Sequence, residues 1–145
     1  MAKITINNIN LEANEGEYIL EVARKNNIFI PAICYLSNCS PTLACKLCMV
    51  DIDGKRSYAC NTKVKDGMNI ITSTEEIEIE RKAIMKSYVV NHPLECGVCD
   101  KSGECELQDY TLLMGVDSQD LFISPSFNAF ASWSHVKYDP SLCIL

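Results

Sequence analysis

No stretch of about 18 apolar residues occurs anywhere in this sequence, so it offers no transmembrane helix. The opening residues, Met1-Ala2-Lys3-Ile4-Thr5-Ile6, lack the long apolar core of a signal peptide, and a cytoplasmic start is expected. Basic charge is also in short supply: 13 lysines and arginines against 19 acids leave a net charge of −6. Nucleic acid is normally met by a basic face, so this balance argues against it. The same charge also simply keeps a small chain in solution. No Gly-rich phosphate loop, Ser/His/Asp arrangement, or flavin or nicotinamide site appears, and no catalytic residue is expected. Internal repeats and low-complexity tracts are absent too. Of the two histidines, His135 has no cysteine near it and is expected to face solvent.

What is abundant is cysteine, nine in 145 residues. A disulfide framework is the poor explanation, because cytosolic thiols stay reduced and an odd count cannot pair fully. Thiolates gathered in clusters usually hold metal. With 48% apolar and 22% charged residues the chain reads as globular. A chain of this length buries roughly 68–70% of its extended surface and folds without staples, as one domain or two small ones.

Two alternating runs, Ile4/Ile6 and Ile9/Leu11, flank Asn7-Asn8. Asparagine tolerates positive φ, so a two-residue hairpin follows, pairing Ile4 with Leu11 and Ile6 with Ile9. A helix is expected over Glu17 to Asn26, turning Ile19, Leu20, Val22 and Ala23 inward, with Pro31 leading into a cysteine loop. A second hairpin spans about Leu47 to Cys60 around Asp53-Gly54. Its register sets Ile52 against Lys55, Asp51 against Arg56 and Met49 against Tyr58, which brings Cys60 near Cys48. Asp51 and Arg56 should form a favourable cross-strand pair. Met68 to Thr72 reads as one more strand. Ser73-Thr74-Glu75-Glu76 resembles a capping box opening the longest helix, Thr74 to Asn91. Glu78 and Lys82 should pair on that helix, and Ile77, Ile84, Met85 and Tyr88 should form its buried stripe. Pro93 ends it. A second cysteine loop, His92 to Cys105, runs into a helix from Glu106 to Met114, with Gly115 as its stop. Beyond Val116 the pattern weakens. Phe122, Phe127, Phe130, Trp133 and Tyr138 lie among serines without a period, and an extended segment over the preceding domain is expected.

Two ligand sets emerge. The first is Cys34, Cys45, Cys48 and Cys60, where a C-x2-C pair lets two thiolates converge and iron–sulfur clusters need four. Plant-type ferredoxins place the first cysteine five residues before the C-x2-C pair. That position is Ser40 here, so Cys34 and Cys39 both stand as candidates for the first ligand. The second set is His92, Cys96, Cys99 and Cys105, in the pattern H-x3-C-x2-C-x5-C. Alone, His92 would read as a surface histidine at a helix C-terminus. Three cysteines just downstream favour a ligand instead. Gly97 and Gly103 suit a backbone wrapping closely round a cluster. Zinc is the inorganic competitor, since Cys3His is an ordinary structural zinc set.

Both sets together, in this order, resemble the N-terminal part of the large iron–sulfur subunit of respiratory complex I, the NADH:quinone oxidoreductase. The resemblance is carried by Ile30-Pro31-Ala32-Ile33-Cys34-Tyr35, by Ala44-Cys45-Lys46-Leu47-Cys48-Met49-Val50, and by two parts of one run, Asn91-His92-Pro93-Leu94-Glu95-Cys96 and Gly103-Glu104-Cys105-Glu106-Leu107-Gln108-Asp109. It implies an α+β chain with a β-grasp, ferredoxin-like domain over residues 1–73 binding a [2Fe–2S] cluster through Cys34, Cys45, Cys48 and Cys60. It implies a small, mostly helical domain over residues 74–115 binding a [4Fe–4S] cluster through His92, Cys96, Cys99 and Cys105. Residues 116–145 would lead into a further ferredoxin-type domain, with Tyr138-Asp139-Pro140-Ser141-Leu142-Cys143-Ile144-Leu145 as its opening and Cys143 its first ligand. The chain is thus expected to be a piece of a longer protein.

The same resemblance implies electron transfer from a flavin- and NADH-binding partner subunit toward a quinone-reducing arm. It implies a place on the cytoplasmic face of the inner membrane, held through the complex rather than by membrane insertion. The N-terminal iron–sulfur region of an iron hydrogenase, or of an NAD-linked hydrogenase or formate dehydrogenase, shares both ligand sets and is the nearest alternative. A zinc-stapled interaction module is the alternative from another class.

Overall fold

The structure is a computed structural model, and it describes residues 1–123, 131–132 and 134–138. The chain divides into two compact units, Met1–Arg81 and Lys82–Leu145.

The first unit is a five-stranded mixed sheet packed on one helix. Strands β1 (Ala2–Ile6) and β2 (Ile9–Ala13) form the expected hairpin, with Ile4 opposite Leu11 and Ile6 opposite Ile9. Asn7 and Asn8 both take positive φ, 50° and 65°, which the two-residue turn requires. Strands β3 (Met49–Ile52) and β4 (Lys55–Tyr58) pair in the expected register around Asp53-Gly54. Strand β5 (Asn69–Ile71) lies between the hairpins, parallel to β1 and antiparallel to β3, giving the order β2-β1-β5-β3-β4. With the helix across it, this is a β-grasp sheet.

Helix α1 (Ile19–Lys25) buries Ile19, Leu20, Val22 and Ala23 against Ile4, Ile6, Val50 and Ile70. It begins two residues later than the apolar spacing suggests, because Tyr18 is extended and bridges to Lys63. It also stops before Pro31: Asn27 takes φ 57° just past the last turn, a left-handed stop that asparagine tolerates.

The Asp51–Arg56 pair does not form, although the two residues are opposite each other. The Asp51 carboxylate accepts the Gly54 N–H at 2.8 Å instead, and Arg56 bonds Glu80. A local turn bond wins because it fixes fewer side-chain rotamers than a cross-strand ion pair would.

Helix α2 (Glu75–Val89) starts from Thr74, whose hydroxyl accepts the Ile77 N–H at 3.3 Å. The position three residues into the helix is thus Ile77, not a glutamate, so the reciprocal half of the capping box is missing. Its buried stripe is Ile77, Arg81, Met85 and Val89. Ile84 and Tyr88 are only half-buried. The strict four-residue spacing selects Val89 over Tyr88 and puts an arginine in the stripe. Glu78 consequently bonds Arg81 at 2.7 Å rather than Lys82.

In the second unit, helix α3 (Glu106–Leu113) ends as expected at Gly115, at φ 62°. Gly115 N–H donates to the Leu112 carbonyl at 3.1 Å and Val116 N–H to the Thr111 carbonyl at 2.8 Å, the double bond of a Schellman stop. Residues 116–123 run without regular structure. Ile123 N–H donates to the Val90 carbonyl at 2.8 Å, while Leu121, Phe122 and Ile123 stay exposed. Val116 is buried, and beyond it the Gln119 side chain, a Lys86–Asp120 ion pair and this backbone bond hold the stretch. A two-stranded pairing of β6 (Ala131–Ser132) with β7 (Lys137–Tyr138) was not expected from the sequence. Cys143, Phe127, Phe130 and Trp133 lie outside the described residues. Among the described residues no helix is long and apolar enough to cross a membrane.

Candidate metal centres

The candidate cysteines of the first set lie on the segments on either side of the β3–β4 hairpin. Ala59 N–H donates to the Cys48 carbonyl at 2.9 Å, which continues the hairpin by one pair and sets Cys60 beside Cys48. The segment after Cys60 is held on the start of α1, where Leu20 N–H donates to the Ala59 carbonyl and Ile19 N–H to that of Thr62, both at 3.0 Å. Helix α1 thus satisfies its first amides with the backbone that presents Cys60.

The 34–48 loop closes the other side. Cys45 donates its backbone N–H to the Cys34 sulfur at 3.4 Å. Cys45, Cys48 and Cys60 are each 1% exposed, Cys34 is half-buried and Cys39 is exposed. Leu43 and Lys46 both take positive φ, 57° and 56°, in the loop's tightest part. Tyr35, next to Cys34, packs edge-on against Tyr18, sits under Arg24 and donates its hydroxyl to Glu21 at 2.7 Å. That anchors the loop to α1.

The charges within the group are uneven. Burial pushes the Cys60 thiol well up, and its close neighbour Cys48 and the charges of Cys34 and Cys45 push it the same way. Burial also raises Cys45, against backbone bonds that favour its thiolate. Burial raises Cys34 as well, but the Thr42 hydroxyl and the N–H groups of Cys45 and Ala44 outweigh it, so its net shift is downward. Thiols that raise one another's pKa in this way resist ionising together. A cationic iron–sulfide core, which takes its thiols as thiolates, would offset that repulsion. The donor set fits such a core.

Arg81 was not legible as part of this region. It is 4% exposed, and its guanidinium donates to the carbonyls of Leu47 (3.0 Å), Met49 (2.8 Å) and Thr72 (2.9 Å). Burial lowers its pKa, while Glu78 and the Cys48 thiolate favour its charge. A charged residue at the four-residue spacing of an apolar stripe was the available signal.

In the second unit His92, Cys96, Cys99 and Cys105 line one cavity of about 320 Å³, together with Leu107 and Thr111. Cys96 opens a single 3-10 turn, Cys96–Val98, and Cys105 immediately precedes α3. Lys101 N–H points at the Cys99 sulfur at 3.5 Å. Gly103 takes φ 83° and donates its N–H to the Gln108 side chain at 2.9 Å. Gly97, by contrast, has no positive φ and nothing near the place of a Cβ, so the close approach expected of it is not seen. The Gln119 side chain bonds the carbonyls of Val89 and His92, which closes the C-terminal end of α2 and fixes the His92 backbone.

His92 Nδ1 is buried and has no hydrogen-bond partner among the described residues. Burial lowers its pKa, which favours the neutral imidazole, the form that binds metal. A buried ring nitrogen left unpaired beside three cysteines fits a ligand role. Among the described residues no group of three or more His, Cys, Asp or Glu side chains is gathered tightly enough for a single metal ion. A cluster asks for something different, because its ligands are spread over several irons around a core.

Residues 1–75 match the family model of the 2Fe-2S iron-sulfur cluster binding domain, and residues 81–120 match that of the NADH-ubiquinone oxidoreductase-G iron-sulfur binding region. The NADPH-Fe(3+) oxidoreductase subunit alpha of Geobacter sulfurreducens is 37% identical over 148 aligned residues, covering all of this chain and 18% of that protein. The NADH-ubiquinone oxidoreductase 75 kDa subunit of Reclinomonas americana is 34% identical over 119 residues, covering 81% of this chain and 17% of that protein. The chain thus spans less than a fifth of the length of these curated relatives. Among solved structures, an NAD+-reducing [NiFe]-hydrogenase in its H2-reduced state superposes with a TM-score of 0.91 at 23% identity, over 99% of this chain and 62% of that one. That likeness concerns the fold.

Proposed function

This chain belongs to the 2Fe-2S iron-sulfur cluster binding domain family, with an NADH-ubiquinone oxidoreductase-G iron-sulfur binding region following it, and from that premise we propose an electron-transfer module with assigned ligands. Cys34, Cys45, Cys48 and Cys60 hold a [2Fe–2S] cluster. His92, Cys96, Cys99 and Cys105 hold a [4Fe–4S] cluster. The observation that supports the reading is the Cys45 N–H directed at the Cys34 sulfur at 3.4 Å, together with the influence of Cys48, Cys34 and Cys45 on the Cys60 thiol. Such clusters, when bound, exchange single electrons without rearranging the protein around them.

The chain's own residues supply the cage. The hairpin and the start of α1 keep Cys48 and Cys60 at a fixed separation, and Tyr35 secures the loop bearing Cys34. Cys45, Cys48 and Cys60 are buried, as are Leu47 and Ala59, the chain neighbours of Cys48 and Cys60. In the second unit the neutral His92 contributes one negative charge fewer than a fourth thiolate would.

The parent assembly belongs to the same proposal. The chain is part of an oxidoreductase of NADH:quinone type, taking electrons from a flavin- and NADH-bearing partner subunit and passing them toward quinone. It sits peripherally on the cytoplasmic face of the inner membrane. The fold shared with the hydrogenase chain favours a second reading, in which the same module serves an NAD-linked hydrogenase.

The test is metal and acid-labile sulfide analysis, with EPR, on the full chain purified without oxygen. Two distinct reduced-state signals and iron and sulfide in proportion to one [2Fe–2S] and one [4Fe–4S] cluster are expected. A colourless protein carrying stoichiometric zinc overturns the reading in favour of a zinc-stapled interaction module.

A further inference from the structure

Among the described residues Arg81 is the only charged side chain that is buried. Burying a guanidinium costs free energy even when every donor is bonded. The rest of its stripe, Ile77, Met85 and Val89, is apolar, so an aliphatic residue would suit the packing at less cost. The bonds show where the charge is directed. Nε donates to the carbonyl of Leu47 at 3.0 Å and Nη2 to that of Met49 at 2.8 Å, the residues on either side of Cys48. Nη2 also donates to the Thr72 carbonyl at 2.9 Å, and Nη1 to the Glu78 carboxylate at 2.7 Å. Glu78 is half-exposed, so water weakens its neutralising effect, while the guanidinium itself is out of water.

We propose that Arg81 is a positioning residue of the [2Fe–2S] centre, clamping the backbone on both sides of Cys48 and holding a permanent positive charge near that thiolate, which raises the midpoint potential. The inference rests on the reading of Cys34, Cys45, Cys48 and Cys60 as ligands. Reduction adds one negative charge to the centre. A fixed cation in a poorly screened site stabilises the reduced state more than the oxidised one. The planar fork of arginine, with donors spread in fixed directions, serves three carbonyls and the Glu78 carboxylate, four acceptors against the three donors that lysine carries on one atom.

The experiment is an EPR-monitored redox titration of the full chain, prepared anaerobically, at a temperature where the [2Fe–2S] signal persists. Arg81→Met should lower the reduced-to-oxidised ratio about tenfold at any fixed potential, a fall of about 59 mV in midpoint for a one-electron couple. Arg81→Lys should keep the wild-type midpoint while melting at a lower temperature, because it retains the charge and loses the fork. Glu78→Gln, on the exposed side, should raise the midpoint. An Arg81→Met midpoint equal to wild type, or an Arg81→Lys midpoint that falls as far as that of Arg81→Met, overturns the proposal. Should Arg81→Met fail to hold a cluster, a Glu78→Gln midpoint that does not rise overturns it instead. Cys48→Ser separates the two levels. If its spectrum and potential match wild type, the ligand reading itself fails. If they change while the Arg81 variants stay flat, only the role of Arg81 fails.

Discussion

The backbone N–H of Cys45 points at the sulfur of Cys34 across 3.4 Å, joining two residues that the intervening loop could have kept apart. Cys39, five residues from Cys34, is exposed. Cys39→Ala should therefore retain wild-type iron and sulfide, whereas Cys34→Ala should lose the [2Fe–2S] signal. Iron and sulfide content per chain, with the EPR spectrum, decides between them. The opposite pattern would make Cys39 the ligand.

Tyr35 offers a test of the loop's anchor. Its hydroxyl donates to the Glu21 carboxylate at 2.7 Å. Losing a bond to a charged acceptor should lower the stability of the cluster-free Tyr35→Phe chain by about 1.5–3 kcal/mol at neutral pH. Burial, then the bond to Glu21 and its charge, raise the Tyr35 pKa above the ordinary 10.0. A raised folded-state pKa gives stability that is fully present below the unfolded value and is lost as pH climbs toward the folded one. Denaturation of both proteins across the alkaline range should show the difference shrinking above pH 10. A constant difference would argue against the bond.

His92→Cys adds a negative charge to the second ligand set. Reduction of a more negative centre is harder, so the midpoint of the [4Fe–4S] cluster should fall. Redox titration of the wild-type and variant chains measures it. An unchanged or higher midpoint would count against His92 as a ligand.

Lys46 and Leu43 hold nearly the same left-handed φ, 56° and 57°, and should respond in opposite ways to glycine. A side chain in that region costs about 1–2 kcal/mol, against about 0.5–1 kcal/mol for the extra freedom glycine brings to the unfolded chain. Lys46 is exposed and loses little else, so Lys46→Gly should raise the stability of the cluster-free chain by up to about 1 kcal/mol. Leu43 packs against the core, so Leu43→Gly should lower it. Urea denaturation gives both signs.

Much of the architecture could be read from the chain because the signals were local. Asn7-Asn8 and Asp53-Gly54 dictate their turns through positive φ, and each two-residue turn fixes its register with no free parameter. Gly115 marks its helix end for the same reason. The candidate ligands stand out as a short-range pattern too, a C-x2-C pair and a histidine ahead of three cysteines. Helix ends were less so. Tyr18 and Val89 are set by contacts with Lys63 and Gln119, which are far away in sequence.

The sequence by itself determined the turns, the hairpin registers and which cysteines and histidine stand as candidate donors, because each follows from the preferences of residues a few positions apart. Only the tertiary structure decided that Cys34 meets Cys45, that Arg56 leaves Asp51 for Glu80, and that Arg81 turns inward to the carbonyls around Cys48. Each of those choices settles a competition between alternative partners, and burial sets the outcome by fixing which polar groups lose their water.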